Sequence, residues 1–420
     1  MKVPRRISPS QAALWGAWAS WVALILVIDV LILVGSDHSV VQAYRDAALQ
    51  WFAGKDIYNA TGHGFLYLPS AAILFAPCAL LPVAAGEIVW RLLTIGSFAV
   101  GIRRLSTVAG RGLSVDLFPL LTLSSLPPAL SCARNGQSTL VMMAFMILAV
   151  VDLSETGPAG PRRWRAALWL SLSLAFKPLS LAMLLVVAAL DWRMAWRLVL
   201  GVACVLLFPF LTQSPHYVAA QYAMSLQMFR ASSLCGMNEL WAQPFSVLSL
   251  MHVSVPESVQ TMIRVAAGMA TLALCWLARR SQRQVRAVEY LLAFTVIYIL
   301  LFNPRTENNT YAMLGPVIGL FAAPWIGNNR HRLAVGVMSL MLLLLAAGDE
   351  LVRALTPPGE HIWLKPTLAL IFLLYLVRHM FEPQDDARRR SAGAMLAPAK
   401  RPNWPVLVRA ATADAGGARP

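Results

Sequence analysis

The chain is a succession of apolar runs, each roughly a helix in length and separated from the next by a short polar or basic stretch. The runs fall at residues 13–34, 68–83, 86–102, 115–130, 138–153, 166–190, 194–212, 258–278, 287–302, 311–326, 333–347 and 364–381. Crossing a bilayer takes about 20 apolar residues, and only a helix or a closed barrel satisfies its backbone there. The run lengths predict helices. The chain is 58% hydrophobic and 13% charged, with a mean hydropathy of +0.61. Soluble chains average about 45–50% and about 25%, so a soluble or disordered chain is excluded. The reading is an all-α polytopic membrane protein with about 10–12 transmembrane helices.

The formal charge of +15 comes mainly from arginine clustered between the runs: Arg5–Arg6, Arg103–Arg104, Arg162–Arg163–Arg165, Arg279–Arg280 and Arg388–Arg389–Arg390. Such clusters beside spans mark cytoplasmic loops, and nucleic acid is not needed to explain them. If every run crosses once, Arg103–Arg104 and Arg162–Arg165 fall on the outer side. The conflict disappears if 68–83, punctuated by Pro69, Pro77 and Pro82, does not cross cleanly, and if 166–190 is two half-helices broken at Lys177–Pro178. Both termini are then cytoplasmic, and the first run is a retained span. Residues 1–385 read as one transmembrane domain and 386–420 as a basic flexible cytoplasmic tail. The polar stretches 35–67, 131–137, 213–257 and 303–310 fall outside. Within the first, Val40, Val41, Tyr44, Ala48, Trp51 and Phe52 recur at helical spacing, predicting an amphipathic helix flat on the membrane surface.

Candidate chemistry concentrates in these outer stretches. Asp37 and Asp46 bracket the start of the amphipathic helix, where a carboxylate against an apolar wall can serve as a general base toward a hydroxyl; helix capping and a solvated face are the plain alternatives. Asp29 lies inside the first run, where it either acts or bonds a neighbouring helix. The densest polar run is Asn303-Pro304-Arg305-Thr306-Glu307-Asn308-Asn309-Thr310-Tyr311. Arg305 offers a planar fork for a phosphate, and Glu307, Asn308 and Asn309 suit sugar hydroxyls; an Arg305–Glu307 pair is the alternative. Lys177, mid-run beside Pro178, needs an anion, a cavity or a route to the interface. Arg134, Asn135 and Gln137 form a smaller cluster, and His63 sits in Gly62-His63-Gly64. The histidines are scattered without metal spacing, so no metal or other cofactor is predicted.

Tyr44-Arg45-Asp46-Ala47-Ala48, Gly54-Lys55-Asp56-Ile57-Tyr58, Phe65-Leu66-Tyr67-Leu68-Pro69, Phe75-Ala76-Pro77 and Leu80-Leu81-Pro82 together resemble glycosyltransferase family 87, of the GT-C superfamily. Asn135-Gly136-Gln137 resembles the family's Gly-Gln element, Phe176-Lys177-Pro178 its lysine–proline element, and Asn303-Pro304 its late outer-loop motif. The resemblance covers residues 13–326. It implies a GT-C-type helical fold with outer-face amphipathic helices and irregular loops. It also implies a sugar, a hexose such as mannose, moved from a polyprenyl-phosphate donor to a lipid or glycan acceptor on the outer face of the cytoplasmic membrane. In the family's mannosyltransferases the catalytic Asp lies four residues before the motif's Tyr. That position is Val40 here, and Asp37 is the nearest acid. The donor phosphate falls to Arg305, Lys177 or Arg134, and the sugar or acceptor to Glu307, Asn308, Asn309, Gln137, Tyr67 and His63. The partners implied are the donor, the acceptor and membrane lipids.

Two other classes fit the same composition. A secondary transporter uses broken helices and intramembrane charge, but the chain shows no two-fold repeat and its polar groups gather in the loops of one face. A non-catalytic membrane subunit of an envelope-assembly complex would have no use for the outer carboxylates.

Overall fold

The structure is a computed structural model that describes residues 9–35, 39–58, 65–111, 115–155, 160–233, 241–323, 332–355 and 360–381. Asp37, His63 and the tail after 381 lie outside the described residues. Among those described, the secondary structure is helical, without a strand. Within these residues, seven helices are long and apolar enough to cross a membrane: α1 (Pro9–Leu33, its apolar stretch beginning at Ser10), α4 (Val83–Ala109), α9 (Trp192–Leu207, prolonged by a 3-10 turn to Leu211), α12 (Glu257–Ser281), α13 (Gln284–Phe302), α15 (Arg332–Leu355) and α16 (Leu364–Phe381). Shorter ones complete the set: α2 (Val41–Phe52), α3 (Pro69–Ala79), α5 (Phe118–Asn135), α6 (Thr139–Ser154), α7 (Pro161–Phe176), α8 (Leu181–Leu190), α10 (Pro215–Ser233), α11 (Pro244–Leu250) and α14 (Leu314–Ala322). The protein is a multi-pass helical membrane protein.

Both irregular segments expected from charge bookkeeping are present. α3 has 11 residues, about 16 Å at 1.5 Å per residue, which is far short of a hydrocarbon core of about 30 Å. The run 166–190 breaks at Lys177, whose backbone is extended (φ −154°, ψ 122°) because Pro178 excludes the helical conformation from the residue before it. A 3-10 turn, Pro178–Ser180, then restarts the chain as α8.

α6 is the centre of the bundle. Nearly all of its side chains are buried, and it packs against α4 and α7. Gly101 of α4 lets the α6 backbone approach closely, since a Cβ there would lie 3.3 Å from the Cα of Ala144. α1, α12 and α15 keep large apolar side chains exposed, such as Leu26, Met262 and Leu343, which is the outward face a helix presents to lipid. The two ends of the bundle differ in kind. At one end arginine meets acid: Arg103 with Asp116 at 2.7 Å, Arg111 and Arg162 with Glu155, Arg165 with Asp152, and, within α13, Arg286 with Glu289 at 2.6 Å. At the other end the segments 39–58, 65–68, 131–139, 177–180 and 303–313 converge.

α2 forms where the apolar spacing placed it, and its apolar face is covered by protein. Val41, Tyr44, Ala47, Ala48 and Trp51 are buried against α3 and an aromatic cluster that includes Phe65, Phe75 and Trp90, while Phe52 is exposed. An apolar stripe reports that a helix face is covered, not what covers it. Its first turn is served by Ser39, whose hydroxyl accepts from the Val41 N–H at 3.2 Å.

Candidate functional site

The convergent end holds a cleft of about 390 Å³ whose polar lining is Tyr67, Lys177, Arg264, Asn303, Arg305 and Glu307 and whose remaining wall is largely apolar, including Leu179, Phe229 and Phe302. Each polar group arrives by a separate local device. Lys177 is delivered by the proline break: its side chain is 8% exposed, and its ammonium donates to the Thr139 hydroxyl at 2.8 Å. Thr139 opens α6, and α6 can begin there because α5 ends abruptly at Gly136 in the left-handed conformation (φ +67°). Gly136 N–H bonds the Ala133 carbonyl and Gln137 N–H the Cys132 carbonyl, the paired bonds of a Schellman stop. A Cβ at Gly136 would lie 2.2 Å from an Arg91 Nη, so only glycine fits beside that buried guanidinium.

Past this turn, the Gln137 Nε2 donates to a Glu307 carboxylate oxygen at 2.5 Å. The sequence neighbourhoods of Gln137 and Glu307 are joined a second time where the Ser131 hydroxyl meets Asn309 Oδ1 at 2.7 Å. The 303–307 segment leans on residues 241–243. Ala242 N–H donates to the Thr306 carbonyl at 2.9 Å, Gln243 Nε2 to the Pro304 carbonyl at 3.0 Å, and Arg305 stacks over the Trp241 ring at 4.3 Å. The buried Nε of Arg305 meets no hydrogen-bond acceptor among the described residues. Arg305 is therefore not paired with Glu307; it packs on an aromatic face and lines the cleft.

Tyr67 is fixed by other tyrosines. Its hydroxyl shares a 2.8 Å hydrogen bond with that of Tyr44, and its carbonyl accepts from the Tyr58 hydroxyl at 2.7 Å. Burial, reinforced by the Glu307 carboxylate, pushes the Tyr67 phenol up to about 12. Burial and the neighbouring Tyr67 hold Tyr44 well above its ordinary range. Both remain neutral hydroxyls at physiological pH. Three cations against one carboxylate leave the cleft net positive, beside an apolar wall. That is the pairing an amphiphilic anion requires.

The other expected site residues are placed as follows. Asp46 follows Tyr44 by two residues, about 200° around the helix, so burying Tyr44 turns Asp46 outward, where Gln42 Nε2 donates to it at 2.7 Å; it does not line the cleft. Arg134 is exposed on the last turn of α5, and what that residue contributes inward is its carbonyl, which accepts from Arg91 at 2.9 Å. Asn308 and Asn309 stand behind the cleft wall, the Asn308 carbonyl accepting from Lys365 at 3.1 Å. Arg264 is the residue that sequence reading passed over. It sits inside the apolar run 258–278, and a lone arginine in such a run is the signal that would have singled it out. Among the described residues, no group of three or more His, Cys, Asp or Glu is placed to hold a metal ion.

The family model described as Glycosyltransferase family 87 matches residues 65–304, more than half of the chain. No curated protein matches the chain. Among solved structures, ArnT from Cupriavidus metallidurans bound to undecaprenyl phosphate aligns at 17% identity with a TM-score of 0.42, covering 91% of this chain and 80% of that one. Its apo state aligns at 17% identity with a TM-score of 0.40, covering 92% and 80%.

Proposed function

The chain belongs to glycosyltransferase family 87, and we propose that this membrane glycosyltransferase moves a hexose, mannose being one candidate, from a polyprenyl-phosphate donor to a lipid or glycan acceptor on the outer face of the cytoplasmic membrane. One observation carries the reading: a cleft that joins Lys177, Arg264 and Arg305 to a wall of apolar side chains. The donor's phosphate sits among the three cations, and its prenyl chain follows the apolar wall. Tyr67 and Glu307, with Gln137 holding Glu307, face the sugar, and Asn308 and Asn309 support that wall from behind. Placing the arginine-rich end in the cytoplasm puts the cleft outside, with both termini inside.

In this reading an acceptor hydroxyl oxygen forms a bond to the anomeric carbon while the bond from that carbon to the phosphate oxygen breaks, and polyprenyl phosphate departs with the electron pair. Lys177, Arg264 and Arg305 stabilise the negative charge that grows on the leaving phosphate. The hydroxyl's proton passes to a carboxylate. Asp37 is the proposed base, and Glu307 is the carboxylate seated in the cleft.

The test is a panel of radiolabelled polyprenyl-phosphate sugars incubated with the purified protein and a membrane lipid extract. One donor is expected to label a lipid or glycan product. Arg305→Ala is expected to weaken binding of that donor by about 10-fold or more, the worth of a charge-assisted hydrogen bond. Unchanged donor affinity in that variant removes the phosphate role, and no transfer from any polyprenyl-phosphate sugar removes the donor class. Asp37→Asn is expected to abolish transfer with donor binding intact; a fully active variant leaves Glu307 as the base.

A further inference from the structure

The bundle contains a second basic cavity, of about 450 Å³, at the arginine-rich end. It shares helices with the donor cleft but lies at their far ends. α12 gives Arg264 to the cleft and Arg279 to this cavity, 15 residues on and about 22 Å along the axis. α13 likewise contributes Phe302 to one and Leu291 to the other. The separation is most of a hydrocarbon thickness of about 30 Å, so the two sites face opposite leaflets.

Three arginines line this cavity from three parts of the chain: Arg163 at the start of α7, Arg279 in the last turn of α12, and Arg193 at the start of α9, whose guanidinium lies over the Trp192 ring at 5.8 Å. The cavity holds one carboxylate, Asp191, which lies 3.4 Å from the Arg163 guanidinium and accepts from the Arg193 backbone N–H at 2.9 Å. Arg279 donates to the Leu190 carbonyl, and a guanidinium has five N–H donors. The rest of the wall is mainly apolar, Val187, Met194 and Leu291 among it.

The depth of the cavity is marked independently. Trp192, beside Asp191, is 75% exposed, and Trp164, Trp196 and Trp276 are also exposed. Arginines lie over their rings, Arg280 over Trp276 at 3.9 Å and Arg197 over Trp196 at 4.4 Å. Exposed tryptophans braced by arginine form the belt that proteins place at the level of lipid headgroups.

We propose that this cavity binds the phosphate headgroup of an anionic phospholipid of the cytoplasmic leaflet. The phosphate sits between Arg163, Arg193 and Arg279, and the acyl chains leave along the apolar wall. Basic pockets between helices on the cytoplasmic side suit such headgroups, and the planar arginine fork matches a phosphate's oxygens. The site is separate from the glycosyl-transfer cleft and does not depend on the reading of that cleft.

The test uses the full chain purified in detergent, with dioctanoyl phosphatidylglycerol as the probe, dioctanoyl phosphatidylcholine and inorganic phosphate as the other arms, and native mass spectrometry with thermal shift as readouts. Phosphatidylglycerol is expected to bind saturably and to raise the unfolding temperature, and the double variant R163Q/R279Q to weaken it at least about tenfold. Asp191→Asn keeps the helix cap, removes the competing carboxylate and is expected to tighten binding several-fold. Lys177→Met, at the other end, is expected to leave it unchanged. Equal binding of phosphatidylcholine overturns the proposal, as does equal binding by R163Q/R279Q or weaker binding by Asp191→Asn. Displacement of the lipid by inorganic phosphate at similar concentration overturns the lipid assignment in favour of a soluble anion.

Discussion

Replacing Lys177 by methionine separates function from stability, because the two are expected to move in opposite directions. Lys177 is 8% exposed, its ammonium donates to the neutral Thr139 hydroxyl at 2.8 Å, and it lines the same cleft as Arg305 and Glu307. Burying an ammonium without a close counter-ion costs several kcal/mol, and an apolar replacement of similar volume removes that cost. Lys177→Met is therefore expected to fold and to melt at the wild-type temperature or above it. A phosphate oxygen about 4 Å from the ammonium attracts it by about 4 kcal/mol at an effective dielectric constant near 20. After desolvation, a net loss of about 1.5–3 kcal/mol remains, or about 10- to 150-fold in donor affinity. Equilibrium binding of the donor identified by the panel gives the affinity, and thermal melting in detergent gives the stability. Lys177→Arg is expected to restore binding in part, since it restores charge but not shape. Wild-type donor affinity in Lys177→Met would refute the reasoning, and so would an affinity loss matched by an equal loss of stability.

Two further perturbations test the scaffold. Gly136→Ala forces a side chain into a left-handed residue and against Arg91 and Val41, with a Cβ contact of 2.2 Å to the guanidinium; the conformation alone costs about 1–2 kcal/mol. A total loss above about 3 kcal/mol is expected once the buried guanidinium is displaced, read as a lower melting temperature, and an unchanged one would mean that the turn relaxes freely. Alkaline unfolding is the second. Tyr67 is raised from 10.0 to about 12 by burial and by Glu307, so its neutral form is favoured in the folded state. Its stabilisation is complete below about pH 10 and lost as pH rises toward about 12, amounting to about 3 kcal/mol. Tyr67→Phe is expected to flatten this part of the pH profile in a fluorescence-detected unfolding series, and an identical slope in both proteins would contradict the assignment.

The class of protein was legible because its cause is local. Without water to satisfy the backbone, each apolar run must become a helix, and every proline acts where it stands. The short α3, the break at Lys177–Pro178 and the amphipathic helix α2 all follow from neighbouring residues. So did the family, because its motifs are short and occur in order. What could not be read was what each exposed or buried face would meet. α2 showed an apolar stripe, and the stripe is covered by protein rather than lipid. Asp46 shared a motif with Tyr44 but points the other way, since two residues of helix reverse a side chain.

The sequence by itself determined a helical membrane protein with most of its arginine clusters at one end and its polar loops at the other. Hydrophobic periodicity and charge asymmetry operate over one or two turns and need no partner. Only the tertiary structure decided which polar groups form a site. Gln137 reaches Glu307 across 170 residues, Arg264 joins Lys177 and Arg305 from the middle of an apolar run, and Arg305 stacks on Trp241 instead of pairing with its neighbour. Such meetings depend on how whole helices pack, and a helix's own residues do not record the register of the helix beside it.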